Sequence, residues 1–198
     1  LGSIIKIKLN GKIPKDNPKF IDKKNWLPEI FQLGVRNPQG LTVSPIDGKI
    51  YATNHGPKGG DWFGEVVKGE NYGWPILGWG GTNYDGSKIG PKWKKGFTKA
   101  IQYWVPSIGV SSLVIYKGKE FKEWNGKALI ASLRDQSLRK VDFNNNSVLK
   151  EEIIFETKID RIRDLEIHPN NGKIYLLSEK YYSEKGPEED SLWLMEKK

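Results

Sequence analysis

Arg36, Arg134, Arg161 and Arg163 are the residues best placed to do chemistry in this chain. Arg36 precedes Asn37-Pro38, where proline restricts its neighbour to an extended or turn geometry. Arg134 directly follows the apolar run Ala128–Ser132. Arg161 and Arg163 flank Ile162 just before the run Asp164–Ile167, and the period of a strand points both the same way. Guanidinium forks donate in pairs to carboxylate or phosphate, so converging arginines would bind a small polyanion. If they stay apart, each pairs with a local acid such as Asp135, Asp160 or Asp164.

A second group of residues lies in the loop Asn54-His55-Gly56-Pro57-Lys58-Gly59-Gly60-Asp61. Its glycines allow close backbone approach, and carbonyls around Gly56 and Pro57 beside an acid suit a hard cation such as Ca²⁺. The same loop could simply turn a corner. His55 and His168 are the two histidines; both read as hydrogen-bonded structural residues, His168 in a turn. Tyr103-Trp104-Val105-Pro106-Ser107-Ile108 could wall a pocket and stack on a flat cofactor or sugar face, or pack in a core. Asn71-Tyr72-Gly73-Trp74-Pro75 reads as a rigid turn. No Walker loop, dinucleotide fingerprint, serine elbow or zinc motif is present.

Strands must position these residues. Short β-rich runs occur at Ile4–Leu9, Leu41–Ser44, Ile50–Asn54, Glu65–Lys68, Leu113–Tyr116, Ala128–Ser132, Leu138–Asp142, Glu152–Glu156, Asp164–Ile167, Ile174–Ser178 and Ser191–Met195. Each is bounded by Gly, Pro, Asn or Asp. A short helical turn fits near Asn25–Phe31. Leu41-Thr-Val-Ser-Pro-Ile-Asp-Gly-Lys-Ile-Tyr matches Leu165-Glu-Ile-His-Pro-Asn-Asn-Gly-Lys-Ile-Tyr in pattern, and Leu113–Leu129 is a looser third copy. Each copy is strand, Asx-Gly turn, strand, with the Asx-Gly pair supplying the positive φ of a two-residue hairpin. Repeated antiparallel units of this kind predict an all-β chain of propeller blades. At roughly 45–60 residues per blade, the chain holds roughly three to four blades of a single partial propeller domain over residues 1–198.

Composition narrows the partners. The net charge of +8 invites a nucleic-acid reading, but lysine dominates and is scattered, as in Lys6 to Lys19, so a solvated surface is the better account. Cysteine is absent, which removes disulfides and thiolate chemistry. No run of about 18 apolar residues marks a membrane span. The chain opens on Leu1 and its one methionine is Met195, so it reads as a piece of a longer polypeptide with any signal peptide upstream.

Seven runs together resemble the pyrroloquinoline quinone (PQQ) dependent soluble aldose dehydrogenases of the glucose/sorbosone dehydrogenase family. They are RNPQGL at 36–41, HGPKGGD at 55–61, NYGWP at 71–75, NYDG at 83–86, WVPSI at 104–108, SLRDQ at 132–136 and RIRD at 161–164, in the family's order. The resemblance implies the C-terminal part of a six-bladed β-propeller, periplasmic or secreted, whose remaining N-terminal blades are partners of this part. It implies oxidation of an aldose sugar to a lactone, with PQQ as hydride acceptor and an external electron acceptor. Arg36 and Asn37 would lie near the reactive quinone carbonyls. Arg134, Arg161 and Arg163 would bind the carboxylates of PQQ. Gly56 and Pro57 carbonyls would help hold Ca²⁺, Gln39, His55 and Asp61 would line the pocket, and Trp104 would sit near the substrate. The family's general-base histidine belongs to the N-terminal half and is assigned to neither His55 nor His168. Val35, Trp62-Phe63 and Gly109-Val110 depart from the family's usual residues. A catalytically silent propeller that binds a ligand or protein, and a Ca²⁺-dependent propeller lactonase, are the alternatives.

Overall fold

The computed structural model describes residues 2–20, 25–144, 147–180 and 190–197. They form an all-β structure in which consecutive strands pair antiparallel. β1 (Ser3–Ile5) and β2 (Ile30–Leu33) make a two-stranded sheet. β3 (Pro38–Val43), β4 (Ile50–Asn54), β5 (Asp61–Glu65) and β6 (Gln102–Trp104) make a four-stranded meander. β7 (Val110–Ile115), β8 (Ala128–Ser132), β9 (Ser137–Asn144) and β10 (Ser147–Glu156) make the next. β11 (Arg161–Ile167), β12 (Ile174–Glu179) and β13 (Ser191–Met195) make a three-stranded sheet. The first strands of these three sheets, β3, β7 and β11, lie side by side, which is the arrangement of propeller blades around an axis.

The repeat read from sequence is a repeat of hydrogen bonds. In the β3–β4 turn Ser44 N–H donates to Lys49 O and Gly48 N–H to Ser44 O. His168, Lys173 and Gly172 repeat both bonds, and so do Tyr116, Lys127 and Gly126. Only the glycine of each Asx-Gly pair has positive φ, at 73°, 79° and 81°. In the first and last copies four residues separate the paired Ser44 and Lys49, or His168 and Lys173. The expected two-residue hairpin is therefore replaced by a longer turn. Its Asx side chain accepts the N–H of the following lysine (Asp47 to Lys49, Asn171 to Lys173) instead of adopting positive φ. The third copy accommodates a short 3₁₀ turn, Lys122–Trp124, within the same frame.

Several strand boundaries move from their sequence expectation. The run Ile4–Leu9 pairs only to Ile5, because Lys8 and Lys12 form a turn. The strand expected at Glu65–Lys68 is instead Asp61–Glu65, set by the turn at Gly59 and Gly60 with φ of 90° and 81°. The helical turn expected near Asn25–Phe31 is a single turn closed by Ile30 N–H on Leu27 O, after which β2 begins.

Within the sheet β7–β10, strand β8 is buried on both faces. In β8, Ala128 and Ile130 face a core with Tyr51, Phe63, Ile101, Trp104, Val110 and Leu113. Leu129 and Ala131 face the opposite core with Tyr116, Trp124, Leu138, Ile162, Leu165 and Ile174. Alternating side chains of β8 thus reach two different inter-sheet cores, which is why Ala128–Ala131 is apolar throughout.

Each first strand also carries a one-residue irregularity near its start, between Pro38 and Leu41, Val110 and Leu113, and Ile162 and Asp164. There, buried hydroxyls tie the blades together. Gly40 N–H donates to Thr53 Oγ1, Thr53 donates to Ser111 O, and Ser111 donates to Ile162 O. Thr53→Val keeps the shape but orphans Gly40 N–H and Ser111 O. It is expected to cost about 1–3 kcal/mol in a urea titration of the full-length protein; a cost near zero would show that the relay contributes nothing.

Candidate functional site

Arg161, Arg134 and His55, from three different sheets, meet at one cleft. It has a volume of about 340 Å³ and is lined by His55, Gly109, Leu133, Arg134, Gln136 and Arg161. The topology explains the convergence. His55 follows the end of β4, Arg134 follows the end of β8, and Arg161 opens β11, so all three lie at the same end of adjacent hairpins.

Arg161 and Arg163 share one carboxylate. Arg161 Nη1 is 3.3 Å and Arg163 Nη2 2.5 Å from Glu179 Oε1. Glu179 lies directly across from Arg161 on β12, and the bulge after Ile162 lets Arg163 reach it too. The hydrogen bond from Arg163 holds the Glu179 carboxyl below the usual carboxylate range, with the charges of Arg163 and Arg161 adding to it. Their acid partner is thus Glu179, not the sequence neighbours Asp160 or Asp164. Asp135 pairs with Arg139, leaving Arg134 exposed with its Nη1 on Ser107 O at 2.8 Å.

Arg36 sits beside the carbonyls of the glycine-rich loop. Its Nη1 is 3.3 Å from His55 O and 3.4 Å from Gly56 O, and its guanidinium lies 5.4 Å from the Trp74 ring centre. Trp74 thus supports Arg36, a contact the reading of NYGWP as a turn did not include. Asn54, the first residue of the candidate loop and given no role of its own from sequence, is the organiser here. Its Oδ1 accepts Arg36 and Asn37 N–H, and its Nδ2 donates to His55 O. Asn37 and Gln39 are exposed and bond to each other at 2.9 Å.

The His55 ring Nε2 contacts Val110 O. A carbonyl can only accept, so Nε2 carries the proton and Nδ1 keeps its lone pair in the neutral ring. His168 remains in the β11–β12 turn, its Nδ1 accepting Asn170 N–H.

Asp61 lies behind the cleft and does not line it. It is fully buried, and its oxygens accept Gly56 N–H (2.9 Å), Ser107 Oγ–H (2.7 Å), Gly109 N–H (2.7 Å) and Val110 N–H (3.1 Å). Trp104 is also turned away. It is buried in the core, and its indole N–H donates to Glu151 at 2.9 Å, so the reading that puts it beside a substrate finds it packed between two sheets. Glu151 lies 47 residues further on, on the next sheet, and nothing local in the sequence announces it.

The family departures fall in packing positions. Val35 and Trp62 belong to one core, with Trp62 stacked on Tyr72 at 4.1 Å, and Phe63 belongs to another. Gly109 has φ 69°, and a Cβ there would stand 3.0 Å from Arg134 N, so glycine permits the approach of the Arg134 corner.

The oxygens around Arg36 also set the terms for a cation. Among the described residues no three His, Cys, Asp or Glu side chains cluster to hold a metal, and the Asp61 carboxylate is saturated by donors. Backbone carbonyls at Gly56 and Pro57 are the hard oxygen donors this loop has to offer. No described helix is long and apolar enough to cross a membrane.

The chain is 35% identical over 182 residues to aldose sugar dehydrogenase YliI of Escherichia coli, covering 90% of this chain and 48% of that protein. It is 32% identical over 146 residues to quinoprotein glucose dehydrogenase B of Acinetobacter calcoaceticus, covering 74% of this chain and 29% of that one. A glucose dehydrogenase crystal structure superimposes with a TM-score of 0.83 at 32% identity, covering 90% of this chain and 52% of the other. The chain thus spans about half the length, or less, of the relatives it matches. The glucose/sorbosone dehydrogenase family model matches residues 1–186, and with the sheet order and the arginine cleft it places this chain in that family.

Proposed function

We propose that this chain forms the cofactor-binding wall of a PQQ-dependent aldose sugar dehydrogenase, within a six-bladed propeller that is periplasmic or secreted. The observation that carries this reading is the meeting of Arg134, Arg161 and His55, from three sheets, at one cleft. The residues present fit a flat polycarboxylate. Arg134 and Arg161 supply guanidinium donors, Glu179 fixes Arg161 and Arg163 side by side, and the cleft is open enough to admit a planar ring system. A Ca²⁺ ion would be held by the carbonyls of Gly56 and Pro57, with further oxygens from the cofactor and from outside this chain.

When bound, PQQ supplies the quinone that takes hydride from the sugar, and Ca²⁺ polarises it as a Lewis acid. This chain's own residues do the binding and the charge stabilisation. Arg134, Arg161 and Arg163 anchor carboxylates. Arg36, backed by Trp74 and the loop carbonyls, is the cation available to stabilise negative charge that develops beside it. His55, its Nε2 held by Val110 O, lines the cleft beside Arg134 and Arg161. The base that takes the sugar hydroxyl proton comes from outside this chain, and the electrons leave to an external acceptor.

The test uses the full-length protein with PQQ and Ca²⁺. Sugar-dependent reduction of an electron-accepting dye is the expected result. Absence of PQQ binding by absorption spectroscopy, with the whole propeller present, would overturn the reading.

A further inference from the structure

We propose that Gln136 is a ligand-contact residue of the arginine cleft, presented by a backbone corner that Asp135 and Arg139 clamp. This deepens the cofactor reading above and rests on it. Gln136 lines the cleft with Arg134 and Arg161. Its φ is 51°, in the left-handed region that L side chains rarely adopt and where glycine is the unstrained choice. Its carbonyl accepts Thr157 N–H at 3.1 Å, yet its side-chain amide makes no hydrogen bond to any described residue. A strained backbone that presents an unused amide to a cleft is a pattern of binding sites.

The strain persists because the corner cannot relax. Asp135 accepts Arg139 Nη2, Ser132 Oγ and Ser137 Oγ. Arg139, its side chain 11% exposed, also donates Nε to Ser137 Oγ at 3.1 Å and Nη1 to Glu151 at 2.8 Å. Glu151 in turn accepts the Trp104 indole N–H and the Gln102 amide of the neighbouring sheet. On the other side, Leu133 N–H donates to Gly109 O and Arg134 N–H to Ile108 O. The corner is therefore fastened to two sheets at once.

The chemistry of the amide differs from that of its neighbours. Arg134 and Arg161 bring charge, whereas the Gln136 amide adds a neutral N–H for a carboxylate or carbonyl oxygen of a planar polycarboxylate. It selects for the position of such an oxygen, not merely for negative charge.

The experiment measures PQQ binding by tryptophan fluorescence titration, and Tm, for full-length wild type, Gln136→Gly, Gln136→Ala and Gln136→Asn. Gln136→Gly is expected to keep or raise Tm, since glycine adopts φ 51° freely, while the Kd for PQQ rises about tenfold. Gln136→Ala loses the same affinity, and Gln136→Asn, which keeps an amide and tolerates the left-handed region, loses less. A Kd within twofold of wild type for both Gly and Ala variants would overturn the inference alone. So would a fall in Tm that accounts for the loss of binding in Gln136→Gly. Wild type that binds no PQQ would overturn the cofactor reading and this inference together.

Discussion

Replacing Arg161 and Arg163 together by alanine is expected to weaken PQQ binding by the full-length protein roughly a hundredfold or more. Hydrogen bonds to charged groups contribute about 1.5–3 kcal/mol each, and two guanidinium anchors would be lost. The loss exceeds the removal of two donors. Glu179 accepts both arginines now, and without them its carboxylate faces an anionic ligand with neither partner. Adding Glu179→Gln to the double variant is therefore expected to recover several-fold of the lost affinity. The fold should survive, because Ile162 between them carries the packing of this strand in the core. Titration by fluorescence, with Tm as the control, measures all three proteins. An unchanged affinity in the double variant would contradict the carboxylate role.

The sequence made this prediction available in outline but not in its final form. Strand alternation reads Arg161 and Arg163 onto one face, and the meeting of Arg161 with Arg134 follows from the hairpin repeat. Both can be read from apolar runs and Asx-Gly turns alone. Glu179 could not be read this way. Its place opposite Arg161 depends on the length of the β11–β12 turn, and its contact with Arg163 depends on a one-residue bulge. Nor was the direction of Trp104 legible. An aromatic on a three-residue strand can face a cleft or a core, and here the choice is fixed by Glu151 on another sheet. Arg139 was passed over because it lies inside an apolar-polar strand, yet it is the arginine that ties the Asp135 corner to Glu151. Burial lowers the affinity of Arg139 for its proton, but the bonds from Glu151 and Asp135 more than offset this and keep it charged. The general lesson concerns distance. Positions set by the hairpin repeat were legible, and side-chain partners set by a bulge, a turn length or a neighbouring sheet were not.

Asp61→Ala is expected to be the most destabilising single change in the site, by about 4 kcal/mol. The carboxylate is fully buried and has four donors but no cationic partner within the contacts it makes. A buried charge of this kind is tolerated because its hydrogen bonds replace hydration. Removing it orphans three backbone N–H groups and the Ser107 hydroxyl at once. Two of those groups, Gly109 and Val110 N–H, open the sheet that carries Arg134, and Gly56 N–H belongs to the loop whose carbonyl meets Arg36. Ser107 makes the link closer still, since its carbonyl holds the Arg134 guanidinium and its hydroxyl also accepts Gly59 N–H. The loss should therefore appear twice, as a lower midpoint in a guanidinium titration and as weaker PQQ binding at temperatures where the variant is folded. Asp61→Asn keeps one accepting oxygen but turns an N–H₂ toward two donors, so it should rank between alanine and wild type. A residue that contacted the ligand directly, without organising the loop, would give the binding loss with stability unchanged, and that outcome would return Asp61 to the wall of the pocket.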